Sequence, residues 1–289
     1  MVTIADLNVK EKPQWCAGCG NHAIVVAVKG ALAELGIPQH QTVISSGVGC
    51  SSKLPHYVNT YGFEGLHGRS LPVASGIKLA NHKLTVLAVG GDGDGYGIGS
   101  GHFMHIMRRN YDLSYIVHDN QIYGLTTGQA SPTSQPGMKT RTTPYGVVET
   151  IFNPLASAIT GGATFVARAF AGDPAHMKEM FKEAITHRGF ALVDVLQPCV
   201  TFNKLNTYDF FTKRCYKLDQ AGHDPSDIMK ALDKAIEGPN TNYEKIAIGV
   251  FYKVQKPLYE DSLPQIKEKT LVEQELSGID ISAVCEEMM

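Results

Sequence analysis

The chain has 289 residues, 43% of them hydrophobic and 19% charged, which suits one large α/β unit or two small ones and is long enough to bury a full core. A formal net charge of -2 without a dense Lys/Arg tract excludes the electrostatic footprint of a nucleic-acid binder. The opening residues MVTIADL lack the basic and apolar regions of a signal peptide and no apolar run is long enough to span a bilayer, so a soluble cytoplasmic protein with reduced thiols is expected.

In chain order, the first feature is Cys16-Ala17-Gly18-Cys19, directly before a predicted helix over 22–35. A helix start stabilises thiolates, and this C-x-x-C fits a thioredoxin-like couple, half of a zinc site or part of an iron-sulfur site. A predicted strand over 42–45 leads to Gly47-Val48-Gly49-Cys50-Ser51-Ser52-Lys53, which puts Cys50 just past a strand end. The strand over 84–89 runs into Gly90-Gly91-Asp92-Gly93-Asp94-Gly95, followed by a predicted helix over 99–109. Such a glycine-rich strand-to-helix turn suits phosphate, because small residues allow close approach and the helix start carries partial positive charge. It has neither the lysine of a P-loop nor the G-x-G-x-x-G spacing of a dinucleotide site. Asp92 would repel a diphosphate unless a hard cation such as Mg2+ lay between them, and a further oxygen donor is then needed. Asn120 supplies a candidate, separated from Gly93 by 26 residues and at the end of a strand over 113–118. Gly, Asp and Asn are common turn residues, but the paired spacing favours the cation reading. His102 and His105 read as ordinary helix residues.

Residues 126–145 (TTGQASPTSQPGMKTRTTPY) form a loop too long to be a mere connection and are expected to shape a site. A strand over 164–167, a helix over 174–187 and a strand over 191–196 follow, the last leading through Gln197-Pro198 to Cys199. A helix over 226–237 and a strand over 246–251 complete the alternation, which predicts an α/β fold with a mainly parallel sheet and helices on both faces. Ligands collect beyond the carboxyl ends of such strands, so Cys16, Cys19, Cys50 and Cys199 are expected to converge there, although a lone free cysteine is more often a small buried residue. Four thiolates fit zinc or a 4Fe-4S cluster equally well. Cys215, expected in a helix, and Cys285, in the polar tail, read as non-ligating. Residues 1–252 are expected to form the cofactor-binding domain and 253–289 an arm that touches a partner chain.

Taken together, WCAGCGNH, SSGVGCSSKLPHY, LHGRSLPVASGIKLAN, VGGDGDGYGIG, DNQIYGLTTGQASPT and the Gln-Pro-Cys before Val200 resemble the β subunits of 2-oxoacid:ferredoxin oxidoreductases, from about Lys12 to about Asn203. The resemblance implies the thiamine-diphosphate-binding fold. It assigns Cys16, Cys19, Cys50 and Cys199 to one 4Fe-4S cluster, and Asp92, the Asn120 side chain and the Ile122 carbonyl to Mg2+. Gly49, Cys50, Ser51, His67, Gly91, Gly93, Asp94, Gly124 and Leu125 are then expected around thiamine diphosphate, with Lys53 and Arg69 as candidates for substrate carboxylate. The implied reaction is CoA-dependent oxidative decarboxylation of a 2-oxoacid, with 2-oxoglutarate as the expected substrate and ferredoxin as the electron acceptor. No pyrimidine-binding half with an activating glutamate is recognisable, so an α subunit is expected to supply it in an αβ dimer or (αβ)2 assembly. The competing readings are a non-redox thiamine enzyme half with structural zinc, and a zinc-stapled phosphate-binding module.

Overall fold

A computed structural model describes every residue except Met1, Asn242 and Leu276. Strand side chains divide between two hydrophobic clusters. In β3 (Thr85–Gly91), Leu87 and Val89 enter one cluster while Val86 and Ala88 enter the other; in β4 (Ser114–Asp119), Ile116 parts from Tyr115 and Val117 in the same way. Burial on both faces is what a central parallel strand requires. Helices α1 (Asn21–Glu34) and α5 (Pro174–Thr186) close the first cluster. The second is closed by α2 (Ser70–Ala80), α3 (Ser100–Arg109), α4 (Pro154–Gly161) and α7 (Ile228–Asn240).

The remaining strands are β1 (Thr42–Ser46), β2 (Tyr61–Glu64), β5 (Phe165–Phe170), β6 (Ala191–Leu196), β7 (Cys215–Lys217) and β8 (Ile246–Lys253), and the sheet order is β2-β1-β3-β4-β6-β5-β8-β7. Every pairing is parallel except that of β5 with β8. The expected mainly parallel α/β fold is therefore present. The registers Ser46↔Val89, Gly91↔His118 and Asp119↔Leu196 bring the carboxyl ends of β1, β3, β4 and β6 to one edge. Cys50, Asp92, Asn120 and Cys199 each lie within a few residues of those ends. The expected strands and helices all occur, with ends moved by a few residues. Cys215 differs: it opens the edge strand β7 opposite Ile246, because the preceding helix α6 (Tyr208–Thr212) has already ended and β8 offers a pairing edge.

Residues 126–145 contain no helix or strand, yet Thr133, Ser134 and Met138 are buried. Beyond β8 the chain crosses the opposite, amino-terminal edge of the sheet. Val254 N–H donates to Thr164 O before β5, and Gln255 Nε2 lies 3.3 Å from His187 Nδ1 before β6. Asn110 Nδ2, before β4, donates to the carbonyls of Lys256 and Pro257 at 3.3 and 3.0 Å, and Lys83, before β3, pairs with Glu273 at 2.6 Å. This strap ends in α8 (Ser282–Glu287), which carries Cys285 and is exposed. Among the described residues no helix is long and apolar enough to cross a membrane.

Candidate cofactor pocket and cysteine site

The glycine turn after β3 and the turn after β4 line a cavity of about 110 Å3 together with Val48, Gly49, Cys50, Ser51 and His67. Gly49 has φ +139°, a backbone conformation that other residues rarely adopt, and it brings the loop after β1 over the cavity. The Ser51 hydroxyl is buried and has no hydrogen-bond partner among the described residues. A polar group left in that state is costly unless a ligand satisfies it. Asp94 is largely engaged within the protein: its Oδ1 accepts from Val48 N and Gly68 N at 3.0 and 2.7 Å and lies 2.6 Å from His67 Nδ1. Asp94 thereby ties the loops after β1 and β2 to the glycine turn.

Asp92 is buried at the floor, and burial pushes its carboxyl up to about 6. Thr133 Oγ1 lies 2.7 Å from Asp92 Oδ2 and 2.8 Å from Asp119 Oδ1. One hydroxyl proton cannot serve two carboxylates. Burial and the nearby Asp194 and Asp92 carboxylates hold Asp119 far above the usual carboxylate range, against the opposing pull of Arg168 and Thr133, and this favours Asp119 over Asp92 as the member of the pair that donates to Thr133. Gln121 has φ 58°, an uncommon conformation for a residue other than glycine. It turns the chain between Asn120, whose Oδ1 accepts from Ile122 N at 3.1 Å, and the Ile122 carbonyl. A carboxylate, a carboxamide oxygen and a carbonyl at one pocket form a donor set for a hard divalent cation.

A second cavity, of about 200 Å3, is lined by Cys16, Cys19, Cys50 and Cys199. The indole Nε1 of Trp15 donates to Cys50 O at 2.7 Å, and Gly20 N donates to Pro198 O at 3.3 Å, so the C-x-x-C turn is tied to the loops after β1 and β6. Burial, reinforced by the other three cysteines, pushes Cys19 up to about 11; burial also raises Cys50, which the nearby Lys53 partly offsets. Such thiols need a positive partner to ionise. Among the described residues no three His, Cys, Asp or Glu side chains converge closely enough for a single metal ion. Cys215 lines neither cavity, and burial pushes it up to about 12.

Both cavities share Cys50, Asn120, Gly124 and Leu125. A Cβ on Gly124 would lie 3.7 Å from Cys199 Sγ and 3.8 Å from both Cys50 Sγ and Asn120 Nδ2, so the partition is one residue thick. Gly91 and Gly93 border the cofactor pocket, and Leu125 is exposed at its mouth. Lys53 lines the cysteine cavity, whereas Arg69 precedes α2 and borders neither space. Thr133, Gln121 and Tyr123, whose hydroxyl donates to Gly93 O at 3.0 Å, were not singled out by the sequence. Thr133 alone had a usable signal, its place in the long polar loop.

A family model described as "Thiamine pyrophosphate enzyme, C-terminal TPP binding domain" matches residues 36–195, and one for the C-terminal part of the pyruvate ferredoxin oxidoreductase beta subunit matches 199–268. The chain is 46% identical to a 2-oxoacid:ferredoxin oxidoreductase subunit beta from a Sulfolobus species, across 86% of this chain and 85% of that protein. It is 43% identical to the 2-oxoglutarate oxidoreductase subunit KorB of Mycobacterium tuberculosis, across 68% of this chain and 53% of that one. Among solved structures it is similar to a 2-oxoglutarate:ferredoxin oxidoreductase from Magnetococcus marinus with 2-oxoglutarate, coenzyme A and succinyl-CoA bound. The TM-score is 0.91 and the identity 40%, over 100% of this chain and 96% of that one.

Proposed function

The chain belongs to the β subunits of 2-oxoacid:ferredoxin oxidoreductases, and on that basis we propose that it binds thiamine diphosphate through Mg2+ at Asp92, Asn120 and the Ile122 carbonyl, and one 4Fe-4S cluster at Cys16, Cys19, Cys50 and Cys199. When bound, thiamine diphosphate supplies the nucleophile and electron sink for decarboxylating a 2-oxoacid, and the cluster takes up electrons singly. The chain's own residues orient and insulate. Gly49 and Ser51 would line the space for the diphosphate, Asp92 would offset the cation's charge, and Gly124 would leave the two sites in near contact. The activating glutamate comes from an α subunit, and coenzyme A and ferredoxin act with the assembled αβ or (αβ)2 enzyme in the cytoplasm.

The observation that carries this reading is a four-cysteine cavity sharing a one-residue wall with a pocket built for a cation and an anion. Tetrahedral zinc, with Zn–S near 2.3 Å, would draw four sulfurs to within about 4 Å of one another. Among the described residues the four cysteines line one cavity without three of them converging on a single-ion site, which supports the larger cluster. Residues 1–252 carry both sites. We assign 253–289 to an arm whose exposed Ile279, Ile281, Val284 and Met288 contact the α subunit. As substrate, 2-oxoglutarate is favoured by the bound ligands of the M. marinus enzyme.

Anaerobic purification of the αβ complex with iron and sulfide analysis tests the cluster. Serine at Cys16, Cys19, Cys50 or Cys199 should abolish or severely deplete both, while Cys215→Ser and Cys285→Ser should leave them intact. Zinc in place of iron would overturn the reading, and full iron in Cys199→Ser would remove that ligand from the set.

A further inference from the structure

The amide of Gln197 is buried between β6 and the C-x-x-C turn. Its Nε2 lies 2.8 Å from the Pro198 carbonyl oxygen and 3.3 Å from Cys19 Sγ. A carbonyl oxygen can only accept, so the NH2 end of the amide must face Pro198, and its second hydrogen is the one available to the sulfur. The orientation of the amide is thus fixed by chemistry. Space for this contact exists because residue 20 is glycine: a Cβ there would come within 2.8 Å of Gln197 Cγ and 3.3 Å of Nε2. Among the described residues, no other cysteine lining the cavity accepts a side-chain hydrogen bond.

We propose that Gln197 is a positioning residue that sets the reduction potential of the cysteine-bound redox group by donating its Nε2–H to Cys19 Sγ. The proposal rests on the cluster reading above. A donor to a ligand sulfur stabilises the state with more negative charge, here the cluster after it has gained one electron, and so raises the potential; hydrogen bonds to sulfur are among the levers that set such potentials. The contact joins the turn before α1 to the end of β6, so it reports whether these two segments are correctly seated around the group.

The test is an EPR-monitored anaerobic redox titration of the intact αβ complex with Gln197→Met and Gln197→Leu, two side chains of different shape that lack a donor. Both variants should retain iron and sulfide and shift the one-electron reduction equilibrium about tenfold toward the oxidised form, a fall of about 59 mV. An unchanged or raised potential with iron retained overturns the proposal. Loss of iron from both variants, with Cys215→Ser still loaded, overturns it too, because Gln197 would then serve assembly and not tuning. Absence of iron and sulfide from the unmodified complex is a separate result, and it would end the cluster reading itself.

Discussion

Asp92 illustrates how one residue joins the floor of the pocket to a distant loop. Its carboxylate accepts from Thr133, which belongs to the loop over 126–145, and the same hydroxyl links it to Asp119. Thr133→Val should weaken Mg2+-dependent thiamine diphosphate binding about 10- to 100-fold by calorimetric titration, as loss of an outer hydrogen bond to a metal ligand commonly does. Asp92→Ala should weaken it further; unchanged affinity in that variant would refute the coordination. Lys53 belongs to the same scale. It lines the cysteine cavity, which shares Cys50, Asn120, Gly124 and Leu125 with the cofactor pocket, and on the proposed function we assign its ammonium to the second carboxylate of 2-oxoglutarate. Removing a charge-assisted contact costs about 1.5–3 kcal/mol. The kcat/KM preference for 2-oxoglutarate over pyruvate should therefore fall by about 10- to 100-fold in Lys53→Ala, and an unchanged ratio would move the role to another basic group. Asp92, Asn120 and the cysteines were legible because their chemistry and spacing lie in the sequence. Gln121 and Gln197 were not, since a left-handed backbone at an ordinary residue and an amide facing a sulfur leave no local signature.

Among the elements, the central strands were legible for the same reason that they are buried: apolar, β-branched runs have no other stable place. Helix α4 lies outside the predicted helices although its sequence carries a start signal: Asn153 caps it by accepting from Ala156 N at 3.1 Å and Pro154 occupies the first turn. Strand β2 is exposed along its length and shows no alternation to detect. At the end of α5, His187 Nε2 lies 2.9 Å from Thr164 Oγ1, while its Nδ1 faces Gln255 Nε2. Gln255 can only donate through that nitrogen, so the neutral ring carries its proton on Nε2. Burial pushes His187 down to about 4. An unfolded histidine titrates near 6.5, so the unfolded chain gains the proton first as pH falls, and stability present above about 6.5 is lost progressively down to about 4, at most about 3 kcal/mol. The buried carboxyl of Glu260, which burial raises, acts in the opposite sense. His187→Asn should flatten the fall in apparent Tm of the complex between pH 7 and pH 5; an equally steep fall would show that other groups dominate.

For the whole molecule, the two edges of the sheet have separate work. The carboxyl edge gathers cofactor and cysteine sites from four neighbouring strands, and the amino edge is closed by the strap after β8. The first arrangement was legible from strand and helix alternation. The second was not, because the strap is held by scattered single contacts of main-chain groups and polar side chains that form no motif. Asn110 is its anchor, in a left-handed conformation at φ 51°, with Oδ1 accepting from Thr164 Oγ1 and Phe190 N while Nδ2 reaches the strap. Those strap contacts span 146 and 147 residues of chain. Contacts of such long sequence separation bear a large loop-closure cost and form late. During synthesis, β3 to β6 leave the ribosome before the segment that fastens their base. Final closure is therefore among the last folding events, and a chain released short of the strap would keep the residues that line both cavities while leaving its amino edge open to aggregation.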